Sequence, residues 1–289
     1  MMKLKTLSLS TLLLLAVMLV LLSACRSPAE LPGYNQDSMG DYLHDPSVPA
    51  LETTPYTDFT ARVQELNAIN QDAIGWLFVP NTSLDDVVMW YAGYTDIFFY
   101  LRRDFYGEYL WEGSYFVDFR TQWGDFTRES ISRNIVIYGH SMEDDPDGPQ
   151  FSQFKRWKDE EWARNNPYIF FSTLEENMVW EIFSVHFSNI WVPYNTPNPD
   201  DEEFQVLLDD AKARSLFNYD VDVTIDDTII TLSTCVYSIP TPGGGMIPLS
   251  YPNNYRFVVM ARLVEQGREL NTSVSLTVNP NPRDARARP

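Results

Sequence analysis

Three side chains able to do covalent or acid–base chemistry stand beside predicted strands, and the first is Cys235. It follows the β-branched run 228–234, which predicts a central strand and places the sulfur at a rigid strand end. Such an end is a good platform for a nucleophile. A buried cysteine acting only as a small apolar side chain fits the same pattern.

The second is His140, which comes where the apolar run 134–139 meets the polar loop 141–149. A base at this point is partly shielded and still reaches solvent, whereas a loop histidine without a role is the alternative. His186 competes with it, but it lies in the alternating segment 180–187. That alternation predicts a surface or barrel-rim position for His186.

The third is Arg256, at the start of the β-run 256–261. A guanidinium is too basic to accept a proton, yet its fork of donors can stabilise an oxyanion or hold a peptide carbonyl. A surface arginine paired with a carboxylate is the alternative. Amide cleavage needs a nucleophile, a proton source and charge stabilisation, and Cys235, His140 and Arg256 could supply one each.

The N-terminal segment 1–25 predicts export. Lys3 and Lys5 precede an uncharged apolar run at 7–22, which is short for a membrane span. The segment ends in Leu-Ser-Ala-Cys, which resembles a bacterial lipobox, so Cys25 is the predicted lipid attachment site; an uncleaved membrane anchor is the alternative. Either way the remainder lies at the outer face of the cytoplasmic membrane. Cys235 would then be the one remaining cysteine in a compartment where thiols normally pair.

Composition narrows the possible partners and indicates where the globular domain begins and ends. The 289 residues carry a formal charge of −19, which argues against nucleic acid as a partner. Segment 26–54 is rich in Pro, Asp, Ser and Gly and predicts a flexible tether. The globular domain is expected at 55–266, followed by a disordered tail at 267–289.

Within the domain, periodicity predicts a mainly β fold, a closed barrel decorated by helices. An amphipathic helix is predicted at 58–70, and two further helices at 150–162 and 201–215. The predicted strands are 74–79, 86–90, 114–119, 134–139, 168–172, 178–185, 223–236 and 255–264.

The order of these motifs resembles the sortases, and in particular class B. The matching segments are NQDAIGWL at 70–77, GSYFVDFR at 113–120, NIVIYGH at 134–140 and TLSTC at 231–235, with Arg256 about twenty residues later. The resemblance covers roughly residues 59–264. The asparagine that class B members often carry before the Tyr-Leu pair is replaced around Ile97, which leaves the detailed signal preference open.

The resemblance implies an eight-stranded sortase barrel and a cysteine transpeptidase without a cofactor. Cys235 would be the nucleophile, His140 the general acid and base, and Arg256 the clamp for substrate and transition state. The substrate would be the C-terminal sorting signal of a surface protein, cut after a threonine. An amine of peptidoglycan or of a pilin lysine would then resolve the thioacyl enzyme.

Tyr138, Ser233 and Thr234 are predicted to line the peptide groove, because they flank the reactive pair along their strands. Two other cysteine enzymes fit less well: papain-like peptidases have cysteine before histidine, and the SHGC motif of L,D-transpeptidases is absent. A non-catalytic surface lipoprotein of the same fold is the second hypothesis. In it, Trp111, Trp123 and Trp191 would grip a glycan or peptide.

Overall fold

A computed structural model describes residues 58–91, 96–241, 245–250 and 252–288. The predicted signal segment, Cys25 and the tether 26–54 lie outside the described residues. Within the described part of the chain, no helix combines the length and the apolar composition that crossing a bilayer requires.

Eight strands close into a barrel, as predicted, in the order β1-β2-β3-β4-β8-β11-β6-β5. Neighbouring strands run antiparallel except in the pairs β2–β3 and β4–β8, which are parallel. The barrel strands are β1 (Ala73–Phe78), β2 (Asp85–Met89), β3 (Tyr115–Val117), β4 (Asn134–Tyr138), β5 (Tyr168–Thr173), β6 (Asn177–Asn189), β8 (Ile229–Cys235) and β11 (Tyr255–Leu263).

Helices decorate the barrel. The first helix, α1 (Thr60–Ile69), begins where the Asp58 carboxylate accepts a hydrogen bond from the Thr60 amide at 2.8 Å. The last, α3 (Asp201–Arg214), begins with a complete capping box formed by Asp200 and Glu203. A short 3-10 helix spans Phe99–Arg102.

The single helix predicted at 150–162 is two elements. A 3-10 helix (Phe151–Lys158) is followed by α2 (Glu160–Asn165). The break is at Asp159, whose backbone is extended and whose side chain caps α2 through the Trp162 amide. A capping residue inside the periodic run therefore ends one helix and starts the next.

One large apolar cluster joins the barrel strands to the decorating helices. It includes Leu77 and Leu232 from strands, Trp157 from the longer 3-10 helix and Phe204 from α3, each completely buried. Burying a side chain of this size contributes about 1.5–3 kcal/mol. The helices are thereby fixed against the strands that carry the predicted site.

Two small sheets lie outside the barrel. The strands β9 (Ser238–Pro240) and β10 (Met246–Pro248) form an antiparallel pair directly after β8. The strands β7 (Phe217–Tyr219) and β12 (Leu276–Val278) pair across almost sixty residues of sequence.

The prediction of a disordered tail at 267–289 is wrong, because the tail packs on the domain. β12 belongs to it, and Leu276 and Ala285 are buried. The buried Arg214 guanidinium donates to the Asp284 and Ala287 carbonyls, each at 2.7 Å. The polar composition and prolines of the tail concealed these long-range contacts.

Candidate active site

Three adjacent strands bring the predicted catalytic residues to one end of the barrel. Arg256 on β11 lies directly opposite Cys235 on β8. In the parallel pair β4–β8, Tyr138 lies beside Ser233, so His140 and Cys235 each follow two residues later. Since side chains alternate along a strand, these three point to the same side of the sheet.

Two interactions hold His140 where β4 ends. The Thr234 hydroxyl donates to the Gly139 carbonyl at 2.7 Å, which ties the end of β4 to β8. A Cβ at Gly139 would lie 2.8 Å from the rings of Phe151 and Tyr115, which stack with centroids 4.5 Å apart. Glycine at 139 thus permits a close approach that a larger residue would prevent.

The imidazole of His140 is buried against the end of the short 3-10 helix Phe99–Arg102. Its Nε2 lies 2.9 Å from the Leu101 carbonyl oxygen and also contacts the Arg102 guanidinium. Nε2 cannot accept from Arg102 and donate to Leu101 at the same time. The tautomer with a proton on Nε2 donates to the Leu101 carbonyl and leaves Nδ1 as the basic nitrogen, whereas the tautomer with a proton on Nδ1 accepts from Arg102. Arg102 is itself placed by Trp111, with its guanidinium 4.1 Å from the ring centroid.

Burial is the main reason that the pKa of His140 falls from 6.5 to about 3. The positive charges of Arg102 and Arg256 lower this pKa further, and the Leu101 carbonyl opposes them. The imidazole is therefore neutral at pH 7. It can take a proton in the reaction only when a negative charge forms beside it.

Arg256 is buried and held by backbone carbonyls. Its Nη1 donates to the Tyr255 carbonyl at 2.8 Å and to the Asn253 carbonyl at 3.4 Å. The Asn253 amide in turn donates to the Val236 carbonyl at 2.8 Å. One asparagine therefore links the arginine to the residue that follows Cys235.

Cys235 is disulfide-bonded in this structure. The sequence predicts a thiol at this position, so thiol chemistry at Cys235 requires the reduced protein. The other cysteine of the chain, Cys25, lies outside the described residues.

The three predicted groove residues differ in their surroundings. The hydroxyls of Tyr138 and Ser233 bond to protein groups, with Asp118 2.9 Å from Tyr138 and Tyr194 3.0 Å from Ser233. Both residues share the strand face of Cys235. Thr234 is on the alternate face and bonds to Gly139, so its hydroxyl serves the strand end.

The prediction that His186 lies on the surface or barrel rim is wrong. It is 1% exposed, and its Nδ1 lies 2.9 Å from the Ser184 hydroxyl. Both β6 faces are buried because α3 covers the side that alternation marked as polar, as the bond from the Ser184 hydroxyl to the Ala211 carbonyl shows. His186 is thus a packed histidine rather than a second base.

The ligand-gripping tryptophans of the second hypothesis are mostly inaccessible. Trp111 and Trp123 are buried, at 7% and 4% exposure, and only Trp191 of the three is exposed. Two of the three indoles therefore have no open face for a glycan.

Sequence reasoning missed two cationic residues beside the site, Arg102 and Lys155. Arg102 precedes His140 by 38 residues, and no local pattern links them. The nearest signal is Gly113, whose backbone φ of +60° and Cβ position 2.4 Å from the Leu101 oxygen require glycine. That glycine lets the segment carrying Leu101 and Arg102 fold back towards His140.

No group of three or more His, Cys, Asp or Glu side chains able to hold a metal ion occurs among the described residues. What the described site offers is a sulfur, an imidazole and a set of guanidinium donors. These groups suit acyl transfer through a thioester.

Comparison with known proteins gives a consistent result. Sortase B of Listeria monocytogenes is 28% identical over 203 residues, which cover 70% of this chain and 78% of that protein. Sortase B of Staphylococcus aureus is 30% identical over 173 residues, covering 60% and 66%. The structure of a Staphylococcus aureus sortase B–substrate complex superposes with a TM-score of 0.59 at 27% identity, covering 72% of this chain and 87% of that one. No family model matches the chain.

Barrel topology and sequence likeness together define an enzyme class, the cysteine transpeptidases of the sortase type. Within it, the sortase B relatives and the sortase B structures support class B of the sortase family. The sequence resemblance is thereby confirmed at the level of family and fold, and the non-catalytic hypothesis gains no support.

Proposed function

We propose that this sortase cuts the C-terminal sorting signal of a surface protein after a threonine and transfers the new acyl end to an amine. The observation that carries the proposal is the shared register of His140, Cys235 and Arg256 on three adjacent strands. The likeness to a Staphylococcus aureus sortase B–substrate complex supports a substrate-binding role for this face.

In the first step, His140 takes the proton of the reduced Cys235 thiol, and the sulfur attacks the threonine carbonyl carbon. A carbon–sulfur bond forms, the carbonyl oxygen becomes an oxyanion, and the Arg256 guanidinium stabilises that charge. The carbon–nitrogen bond then breaks while His140 delivers a proton to the departing amine. The products are a thioester on Cys235 and a released C-terminal peptide.

In the second step, an amine attacks the thioester. His140 takes the proton that the amine loses, the carbon–sulfur bond breaks, and the Cys235 thiol is restored. The proton count closes over the two steps, and no redox change or cofactor is required. A peptidoglycan cross-bridge amine and a pilin lysine are the two proposed acceptors.

The arginines set the protonation states for this chemistry. Positive charge beside Cys235 favours its thiolate. Burial is the main cause of the low pKa of His140, and the same positive charge lowers it further by opposing an imidazolium. We therefore propose that neutral thiol and neutral imidazole predominate, and that the ion pair forms as the substrate enters.

Tyr138 and Ser233 are the proposed groove residues. Their side chains share the strand face of the nucleophile. The Tyr138 hydroxyl is fixed between Asp118 and Asn195, so it offers a rigid aromatic face rather than a mobile hydroxyl.

Anchoring through Cys25 completes the proposal. A diacylglyceryl group on this cysteine would hold the catalytic domain at the outer face of the membrane, since two acyl chains anchor stably where one does not. Metabolic labelling with a fatty acid tests this. The wild type should incorporate label and Cys25→Ser should not; equal labelling of both would contradict the lipid site.

The test of the transfer reaction is cleavage of a sorting-signal peptide library by the reduced full-length protein, followed by mass spectrometry. Glycine oligomers and a lysine-containing pilin peptide serve as separate acceptors. His140→Asn should abolish cleavage, and the matched His186→Asn should retain it. Equal loss in both histidine variants, or cleavage at no threonine, would contradict the proposal.

A further inference from the structure

Lys155 is a buried cation that the mechanism above does not use. It lies on the 3-10 helix Phe151–Lys158, and its side chain is 1% exposed. Burying an ammonium group is costly unless it is well hydrogen-bonded. A lysine in this position therefore needs partners that repay its desolvation.

Its hydrogen-bond partners lie beside the nucleophile and in the loop that follows the base. The ammonium donates to the backbone carbonyl of Cys235 at 3.1 Å. It also donates to the Glu143 carbonyl at 3.3 Å and to the Ser141 hydroxyl. These three acceptors match the three protons of the ammonium group.

Ser141 and Glu143 belong to the loop that leaves His140. The Phe151 amide closes this loop by donating to the His140 carbonyl at 2.9 Å, and Ser141 forms a β-bridge with Gln150. Lys155 therefore connects the end of β4, which carries the base, to the end of β8, which carries the nucleophile.

Asp144 extends the connection to the hairpin β9–β10. Its carboxylate is 3.8 Å from the Lys155 ammonium. It accepts hydrogen bonds from the Tyr237 amide at 3.1 Å and from the Ser238 hydroxyl at 2.7 Å. Lys155 therefore binds the Cys235 carbonyl, and its neighbour Asp144 binds Tyr237 and Ser238, which follow Cys235 in the chain.

We propose, on the basis of the function proposed above, that Lys155 is a positioning residue for the transfer reaction. It fixes the Cys235 carbonyl in register with the loop that carries His140. Its positive charge also favours the thiolate form of Cys235. It does not touch the reacting atoms.

Several charges set the direction of this effect. Arg256 on β11 lies opposite Cys235, His140 follows the end of the neighbouring β4, and Lys155 on the 3-10 helix bonds to the Cys235 carbonyl. Burial is the main reason that the pKa of Lys155 falls to about 7, and Lys158 lowers it further, while Asp144 and Glu143 raise it. Thiolate and ammonium stabilise each other, so removing the ammonium raises the pH at which the thiol becomes reactive.

The test compares Lys155→Met with Lys158→Met in the full-length protein, reduced with a phosphine. Lys158 is exposed, is on the same helix and is the same residue type. The rate of Cys235 alkylation by iodoacetamide is measured from pH 5 to 10, and peptide mass spectrometry separates Cys235 from Cys25. Steady-state cleavage of the sorting peptide is measured alongside.

Lys155→Met should move the alkylation profile upward by roughly one pH unit. Its kcat should fall roughly tenfold or more with little change in KM, because misplaced nucleophiles react slowly. Lys155→Gln keeps a donor for the Cys235 carbonyl without the charge, so it should recover part of kcat and keep the shifted profile. Lys158→Met should keep kcat near that of the wild type and should not move the profile upward, because it removes a charge that opposes the Lys155 ammonium.

A Lys155→Met protein that matches Lys158→Met in both profile and kcat would overturn the proposal. Should Lys155→Met fail to fold, an unshifted profile in Lys155→Gln overturns it instead. Alkylation needs no substrate, so it decides the role of Lys155 even if the wild type cleaves no sorting peptide, which would refute the proposed function separately.

Discussion

The stability of the folded protein should depend on pH through His186, and His186→Asn should remove that dependence. The imidazole is buried, and this burial lowers its pKa from 6.5 to about 3. Arg214 lowers the pKa further and Asp210 opposes it. Because the Ser184 hydroxyl donates to the Ala211 carbonyl, the histidine donates from Nδ1 to Ser184, and the Asn amide can replace that donor.

The sign follows from the lowered pKa. The unfolded chain takes up a proton at His186 as the pH falls through 6.5, and the folded chain does so only near 3. The stabilisation is therefore complete above pH 6.5 and is lost as the pH falls towards 3. Between pH 7 and pH 5 the loss from this one side chain is about 2 kcal/mol.

Urea unfolding at pH 7, 6 and 5 measures the effect in the wild type and in His186→Asn. At pH 7 the free energy of unfolding of His186→Asn should be about 1–3 kcal/mol lower than that of the wild type, because the side chain is smaller. That deficit should shrink by about 2 kcal/mol at pH 5. Asp86, whose pKa burial raises to about 7, titrates in the same range, so only the difference between the two proteins is compared.

A deficit that is the same at all three pH values would refute the reasoning. It would mean that His186 is protonated in the folded protein, or that water reaches it. In either case its assignment as a neutral packed histidine would be wrong.

Three further substitutions test other parts of the structure. Arg256→Lys should lower kcat/KM for the sorting peptide roughly a hundredfold with an unchanged melting temperature, because the charge stays and the planar fork is lost; wild-type rates would remove its proposed role. Gly113→Ala should destabilise the fold by about 2 kcal/mol or more in urea unfolding, because the backbone there has a positive φ and a Cβ would clash with the Leu101 oxygen. An unchanged urea midpoint would show that the turn relaxes. Arg214→Met should lower the free energy of unfolding by about 3–5 kcal/mol, because it leaves the buried Asp210 carboxylate without its main partner and releases the C-terminal tail. Unchanged stability together with protection of the tail from proteolysis would contradict that account.

The barrel was predictable because its strands carry strong local signals. Each predicted strand overlaps an observed one, and the boundaries differ mainly where pairing decides them. β6 extends to Asn189, four residues beyond the prediction, because β11 pairs with it up to that residue. The strand predicted at 223–236 begins only at Ile229, where its pairing with β4 starts.

The packed tail was not predictable in this way. Its strand β12 has three residues and pairs with β7 far back in the chain. A three-residue strand has no periodicity to detect, and the polar sequence around it predicts a loop. Its order comes from long-range contacts such as those of Arg214.

The residues of the candidate site also differ in how well the sequence predicts them. Cys235, His140 and Arg256 each stand beside a predicted strand, so the sequence marks them. Lys155 lies inside a predicted helix, where a lysine ordinarily faces solvent. Residues 151–158 instead form a 3-10 helix whose Lys155 is buried and bonds to the Cys235 carbonyl, and local sequence does not show that contact.

The most direct test of the central claim is the mass of the acyl enzyme. Reduced full-length protein is mixed with a threonine-containing sorting peptide, quenched in acid and digested. The acyl fragment ending in threonine should be found on the peptide that contains Cys235, and Cys235→Ala should show neither this adduct nor cleavage. An adduct on another residue, or cleavage that persists in Cys235→Ala, would contradict the account.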